Sequence, residues 1–250
     1  MTARAKSATA RCKRNSTPAS AAAPIVRAGR GHPGQSPAHD PEKACPGLDP
    51  GWEQVFGSDH AQKEKPMRVV GGRLRSRPIA GPKSDAVRPT SDRLRESLFN
   101  ILIHGYGDPV TGARVLDLFA GTGALGFEAV SRGAAFVLFV DDGVAARAAL
   151  RQNTETLGLG GVTRIFRRDA TKLGPAHPVE PFSLVFLDPP YGKGLAEKAL
   201  VSARDGRWLK PEALIVVEEA ADAGFTAPEG FDELERRDYD DTELTFLRCH

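Results

Sequence analysis

From residue 114 onward the chain repeats one arrangement: a short apolar run, a turn, then a stretch whose apolar residues recur three and four positions apart. The runs at 114–118, 136–140, 163–166, 184–187 and 214–217 are continuous rather than alternating in polarity, as strands covered on both faces require. Strands of that kind separated by helical stretches predict an α/β protein built on a doubly wound, mostly parallel sheet. The pattern changes at both ends. Segments 231–239 and 243–249 flank an Asp-rich turn and predict an antiparallel hairpin closing one sheet edge, for seven strands in all. Ahead of the first run, 68–74 predict a short strand and 75–90 a loop punctuated by Pro and Gly. A helix is predicted over 91–104, with Leu94, Leu98, Ile101 and Leu102 forming its apolar face.

Residues 1–66 lack either periodicity and are rich in Ala, Pro, Gly, Ser and Arg, so they bury too little to offset the entropy of ordering and read as a disordered basic leader. Trp52, Val55 and Phe56 are its one bulky cluster and carry no assigned role. A basic, Ser- and Ala-rich beginning also admits an organelle-targeting reading, and Met67, directly ahead of the regular pattern, is a candidate start.

Composition adds little until it is divided along the chain. With 250 residues and 40% of them apolar, there is material for one well-buried core. The net charge of +2 conceals a leader with ten basic and six acidic residues and a remainder with 24 and 26. Within that acidic remainder, Arg68, Arg73, Arg75, Arg77, Lys83, Arg88, Arg93 and Arg95 face only Asp85 and Asp92. Such a concentration suits a polyanion, a solvated charged face being the plainer reading. Cys12, Cys45 and Cys249 share no C-x-x-C spacing, which fits a reducing compartment and a cytoplasmic protein. No apolar run reaches the roughly 20 residues that span a bilayer, and no metal-ligand spacing occurs.

The first apolar run leads into Phe119-Ala120-Gly121-Thr122-Gly123-Ala124-Leu125-Gly126, a G-x-G-x-x-G where strand should become helix. Glycines there allow a tight turn and close approach of a ligand to the backbone. Nicotinamide dinucleotides and S-adenosylmethionine both use such a loop. Asp117, four residues before Gly121, is placed to meet a cationic ligand and would repel a pyrophosphate, which favours S-adenosylmethionine. Asp141, at the end of the second run, is placed to accept ribose hydroxyls from either cofactor. Asp142 is a candidate N-cap of the next helix, and Asp169 a candidate acceptor for the adenine amino group or simply a loop acid.

The most specific motif is Asp188-Pro189-Pro190-Tyr191 after the run at 184–187. Ligands of such sheets lie beyond the carboxyl ends of the strands, so it should border the glycine loop. The exocyclic nitrogen of a base is a poor nucleophile because its lone pair is delocalised into the ring. Asp188 Oδ and the Pro189 carbonyl can accept its two protons and aim the lone pair at a methyl donor. Pro189 and Pro190 stiffen the loop, and Tyr191 offers a ring for a flipped base.

Asp117-x-Phe119-x-Gly121-x-Gly123 together with Asp188-Pro189-Pro190-Tyr191 resembles the class I amino-methyltransferases. The segment Arg68-Val69-Val70-Gly71-Gly72-Arg73-Leu74-Arg75-Ser76-Arg77, followed by Arg88-Pro89-Thr90-Ser91-Asp92-Arg93-Leu94-Arg95-Glu96-Ser97-Leu98-Phe99-Asn100, is similar to the start of the bacterial 16S ribosomal RNA guanine-N2 methyltransferases of the RsmD family. This resemblance runs from Met67 to the C-terminus. It implies a Rossmann-like fold and an RNA-contacting strand and helix element over 67–105 before a catalytic domain over 106–250. It also implies S-adenosylmethionine as cofactor and 16S ribosomal RNA in a partly assembled small subunit as substrate, for a monomeric enzyme. Arg68, Arg73, Arg75, Arg77, Arg88 and Arg93 become candidate RNA contacts. Asp141 stands where that family commonly has Glu. The competing readings are a DNA adenine-N6 methyltransferase, disfavoured because no separate target-recognition domain is visible, a nicotinamide-dependent oxidoreductase, and a noncatalytic RNA-binding module.

Overall fold

The computed structural model describes residues 67–81 and 91–250. The leader expected over 1–66 and the loop 82–90, with Lys83, Asp85 and Arg88, lie outside the described residues. The regular elements are α1 (Asp92–Gly105), β1 (Arg114–Leu118), α2 (Ala124–Ser131), β2 (Phe136–Val140), α3 (Val144–Leu157), β3 (Thr163–Phe166), β4 (Phe182–Leu187), α4 (Leu195–Asp205), β5 (Leu209–Ala220), β6 (Phe231–Tyr239) and β7 (Thr242–Cys249). Seven strands form one sheet in the order β3-β2-β1-β4-β5-β7-β6. The first five are parallel, and β7 runs antiparallel between β5 and β6. The predicted mostly parallel sheet with a C-terminal hairpin is therefore what forms. The winding reverses between β1 and β4, which creates the switch point at which such sheets take ligands.

The continuous apolar runs follow from cores on both faces. Because side chains alternate along a strand, Val115, Phe139, Phe186 and Val216 join Leu98 and Phe99 of α1, Phe127 of α2 and Leu150 of α3. Their neighbours Leu118, Val140, Leu187 and Val217 join Ala196 and Leu200 of α4 and Trp208 on the other face. Each fully buried side chain of this size stabilises the fold by about 1.5–3 kcal/mol.

The strand expected over 68–74 is instead a single antiparallel bridge between Arg68 and Pro78 and a one-turn 3-10 helix at Gly72–Leu74. The cause lies in Gly71 and Gly72. A Cβ on Gly71 would sit 2.3 Å from the Arg132 guanidinium, and one on Gly72 (φ +70) 2.1 Å from the Ser131 carbonyl oxygen. At Gly72 only glycine lets the backbone come this close to α2, whereas at Gly71 a side chain would have to displace the Arg132 guanidinium. Once there, the Val70 and Gly71 N–H groups donate to the two oxygens of Glu128, both at 2.7 Å, and Leu74 N–H donates to Ser131 Oγ at 2.9 Å. Glu128 is fully buried and paired with Arg132 at 2.7 Å. Hairpin bonds therefore stop at Val69, which pairs with Ser76 and Arg77, and bonds to α2 take over from Val70.

The helix predicted from residue 91 starts as expected, with Ser91 Oγ accepting from Leu94 N–H at 3.1 Å. Arg95 departs from the picture of a basic surface. It lies on the inner side of α1, fully buried, and donates to the Arg68 carbonyl at 2.7 Å and to Asp92 at 2.6 Å. Its charge holds the segment together and is not available to a polyanion.

Candidate active site

Strand register brings the candidate residues to one level. Leu118 pairs with both Val140 and Leu187, and Leu187 pairs with Val217. The residues that follow, Phe119, Asp141, Asp188 and Glu218, therefore stand side by side at the carboxyl ends of β1, β2, β4 and β5.

Each glycine of the loop has its own reason. A Cβ on Gly121 (φ +55) would meet nothing nearer than 3.9 Å, so that face is open to a ligand. A Cβ on Gly123 (φ +82) would lie 2.6 Å from the Phe127 ring, and one on Gly126 2.3 Å from the Phe139 ring. The second glycine thus permits the turn into α2, and the third permits the helix to pack on β2. Phe119 is a non-glycine residue with φ +58, a strained conformation of the sort found at ligand sites.

The two acids flanking the loop differ in access. Asp117 is 2% exposed and accepts from Gly126 N–H at 3.0 Å, so it pins the first turn of α2 and presents almost no surface to a ligand. Burial pushes its carboxyl well above the usual range, the Gly126 bond opposes this, and the Asp141 charge adds to the rise. Asp141 is half-buried. Its Oδ2 accepts from Gly121 N–H at 2.9 Å and its Oδ1 from Gly143 N–H at 2.7 Å, which leaves lone pairs on both oxygens for a further donor. Burial raises its carboxyl as well, against the pull of those two N–H groups. Asp142 is not the cap of α3. Gly143 holds that position and has no side chain to cap with, while its own N–H donates to Asp141. Asp169 caps the 3-10 turn at Ala170–Lys172, its Oδ1 accepting from Thr171 N–H at 2.8 Å and Oγ1 at 2.7 Å. These bonds hold its carboxyl below the usual range. Phe119, Asp141, Asp169, Pro190 and Leu195 border a cleft of about 280 Å3.

Buried carboxyls make a stability prediction. Asp117→Asn keeps an acceptor for Gly126 but cannot ionise. A carboxyl whose folded-state pKa is raised takes up its proton first in the folded protein, so its ionisation costs stability above that pKa and the cost vanishes below the unfolded value of about 3.9. The variant should melt higher than wild type at neutral pH, with a gap that closes as pH falls from the raised value towards about 4. Thermal unfolding across that range measures this. A lower melting temperature for the variant at neutral pH would contradict it.

On the other side of the switch point, Asp188 N–H donates to the Leu118 carbonyl at 3.4 Å, which ties the Asp-Pro-Pro-Tyr loop to the end of β1. Pro189 is buried and Pro190 is exposed to the cleft. The Tyr191 hydroxyl donates to Glu218 Oε1 at 3.1 Å. Burial pushes that hydroxyl's pKa up, and the Glu218 and Asp188 charges push it further. Glu219 accepts from Gly192 N–H at 3.2 Å. A second cavity, about 290 Å3, lies against Tyr191 and Glu218 and is also bordered by Ser91, Arg93, Ser97 and Thr242.

Residues 67–248 match the family model described as conserved hypothetical protein 95. Ribosomal RNA small subunit methyltransferase D of Escherichia coli is 39% identical over 159 residues, 64% of this chain and 77% of that protein. The chain belongs to the RsmD family of methyltransferases. The enzyme of the same name from Haemophilus influenzae is 35% identical over 167 residues, 66% of this chain and 84% of its own. Among solved structures, a provisionally named methyltransferase from Escherichia coli is 33% identical with a TM-score of 0.63, covering 74% of this chain and 98% of that one.

In this RsmD-family chain the basic candidates diverge. Arg68 is exposed but paired with Asp92 at 3.1 Å, and Arg77 donates to the Thr156 carbonyl at 3.1 Å. Arg73 and Arg75 are exposed on the 3-10 turn and just after it, and Arg93 borders the cavity beside Tyr191. Arg88 lies outside the described residues. Glu218 and Glu219 were missed by the sequence reading, although two adjacent acids ending the apolar run of β5 were a legible signal. They clamp the Asp-Pro-Pro-Tyr loop from the neighbouring strand. Asn153, 1% exposed, was also missed. Its Oδ1 accepts from Ala80 N–H at 2.7 Å, while its Nδ2 donates to the Thr122 carbonyl at 3.0 Å and the Ala80 carbonyl at 3.2 Å. It joins the N-terminal segment to the glycine loop. Among the described residues no helix is long and apolar enough to cross a membrane.

Proposed function

We propose that the chain transfers a methyl group from S-adenosylmethionine to the exocyclic N2 of a guanine in 16S ribosomal RNA, presented in a partly assembled small subunit, and that it does so as a cytoplasmic monomer. The observation that carries this reading is the placement of the Asp188 loop and the glycine loop on adjacent strand ends at the switch point. The curated relatives named above are ribosomal RNA small subunit methyltransferases, which points the activity towards RNA.

The cleft beside the glycine loop fits a sulfonium cofactor. Gly121 leaves its backbone open, Asp141 has acceptor capacity for ribose hydroxyls, Asp169 borders the same cleft as a further acid, and acids on both sides of the loop suit a cationic ligand better than an anionic pyrophosphate. When bound, S-adenosylmethionine supplies an electrophilic methyl that leaves a neutral thioether. Asp188 and the Pro189 carbonyl accept hydrogen bonds from the two N–H groups of the guanine amine, which draws its nitrogen towards tetrahedral geometry and aims the lone pair. The proton released when the new N–C bond forms passes to Asp188 and on to solvent. Tyr191, held by Glu218, stacks on the base.

The cofactor assignment is tested by thermal shift. At 100 times its dissociation constant S-adenosylhomocysteine should stabilise the chain by about 2.7 kcal/mol, and NAD should not. Stabilisation by NAD alone would favour an oxidoreductase. Substrate binding is tested at the basic segment, where replacing Arg73, Arg75 and Arg77 with Ala should weaken ribosomal RNA binding and reduce its salt dependence by up to about three counterions. Cofactor affinity should be unchanged. An unchanged salt slope would return these residues to a solvated face.

A further inference from the structure

Guanine and adenine differ at the edge that carries guanine's amine. Guanine presents N1–H beside the 2-amino group, whereas adenine presents a bare N1 lone pair beside its 6-amino group. A group that reads N1 therefore decides between the two bases, independently of the group that holds the amine. From the geometry around Tyr191 we infer that Glu218 is the specificity-determining residue, accepting N1–H of the target guanine while Asp188 and Pro189 hold the amine; this rests on the guanine-N2 reading above.

Four observations support it. Glu218 stands level with Asp188 on the adjacent strand, through the Leu187 and Val217 pairing, about 4.8 Å away in the hydrogen-bonding direction of a sheet. In both strands Phe186 and Val216, two residues earlier, face the core beneath α1, so alternation sends Asp188 and Glu218 to the same side. Glu218 borders the 290 Å3 cavity beside Tyr191, a volume near the lower limit of ligand pockets, roughly 300–1,000 Å3, and suited to one planar group. Glu218 is 4% exposed, and its Oε1 accepts from the Tyr191 hydroxyl at 3.1 Å, which holds the carboxylate beside the ring proposed to stack on the base. A buried carboxylate next to a base rewards an N–H and opposes a lone pair. Adenine in the same place would set its N1 lone pair against Glu218.

2-Aminopurine at the target position separates this role from amine capture, because it keeps the 2-amino group and lacks N1–H. Wild-type enzyme should methylate small-subunit RNA carrying guanine on the order of 10- to 100-fold more efficiently, in kcat/KM, than the same RNA carrying 2-aminopurine, the range expected for one hydrogen bond to a charged group. In Glu218→Gln the amide can donate to the bare N1, so the preference should shrink to about threefold or less. Tyr191→Phe removes the hydroxyl bond to Glu218 and should keep the wild-type preference, which separates base reading from tyrosine positioning. The inference is overturned if wild type treats the two bases alike, if Glu218→Gln retains the full preference, or if Tyr191→Phe loses it equally. Should wild type leave guanine N2 unmodified in every substrate, the underlying reading fails instead. The wild-type comparison of the two bases stands even if Glu218→Gln folds poorly.

Discussion

Asp188→Asn should reduce kcat for methylation of ribosomal RNA on the order of 100- to 1,000-fold, the usual cost of losing one preorganised electrostatic contact to a transition state. The amide keeps the shape of the carboxylate and one acceptor. It loses the charge that stabilises a nitrogen becoming positive, and it can turn a donor towards the amine. Because Asp188 is tied to β1 through its backbone N–H, the substitution leaves that tie in place. S-adenosylhomocysteine affinity and the melting temperature should stay close to wild type. A variant that methylates RNA at the wild-type rate would remove Asp188 from the chemistry.

The second large effect is expected at Tyr191. Base stacking on an aromatic ring stabilises by about 1–3 kcal/mol, so Tyr191→Ala should lose roughly 10- to 100-fold in kcat/KM. Tyr191→Phe keeps the ring and loses hydroxyl contacts to Glu218 and Thr242 that do not touch the base, and should lose less than about tenfold. Single-turnover kinetics on the three proteins distinguishes them. If Tyr191→Phe were as inactive as Tyr191→Ala, the hydroxyl rather than the ring would be the active part.

The sheet was legible because its signal is one of burial. A strand covered on both faces must be apolar at every position, and each predicted run coincides with a strand or lies within one. Its limits were less legible. Antiparallel pairing with β7 reaches to Ala220, so β5 continues past its apolar centre through Glu218 and Glu219. The N-terminal segment was misread for a different reason. Val69, Val70 and Leu74 look like strand residues locally, and what prevents a strand is the approach of Gly71 and Gly72 to Ser131 and Arg132, some 60 residues away. Of the candidate site residues, the sequence singled out those in motifs with strict spacing, Gly121, Gly123, Asp141 and Asp188. It gave no sign of Asn153 and Glu128, which meet their partners only through tertiary packing, and its one hint of Glu218 was the pair of acids ending the apolar run of β5. Arg95 shows the converse, a charge that counts towards a basic surface in the sequence and is buried in the fold.

Mapping modified nucleotides in cells that lack this chain, beside cells in which the wild-type or Asp188→Asn chain is restored, tests the proposed activity most directly. One N2-methylguanine in 16S ribosomal RNA should be absent without the chain, return with wild type, and remain absent with Asp188→Asn. An unchanged set of ribosomal RNA methylations, with N6-methyladenine in DNA following the wild-type chain instead, would contradict it.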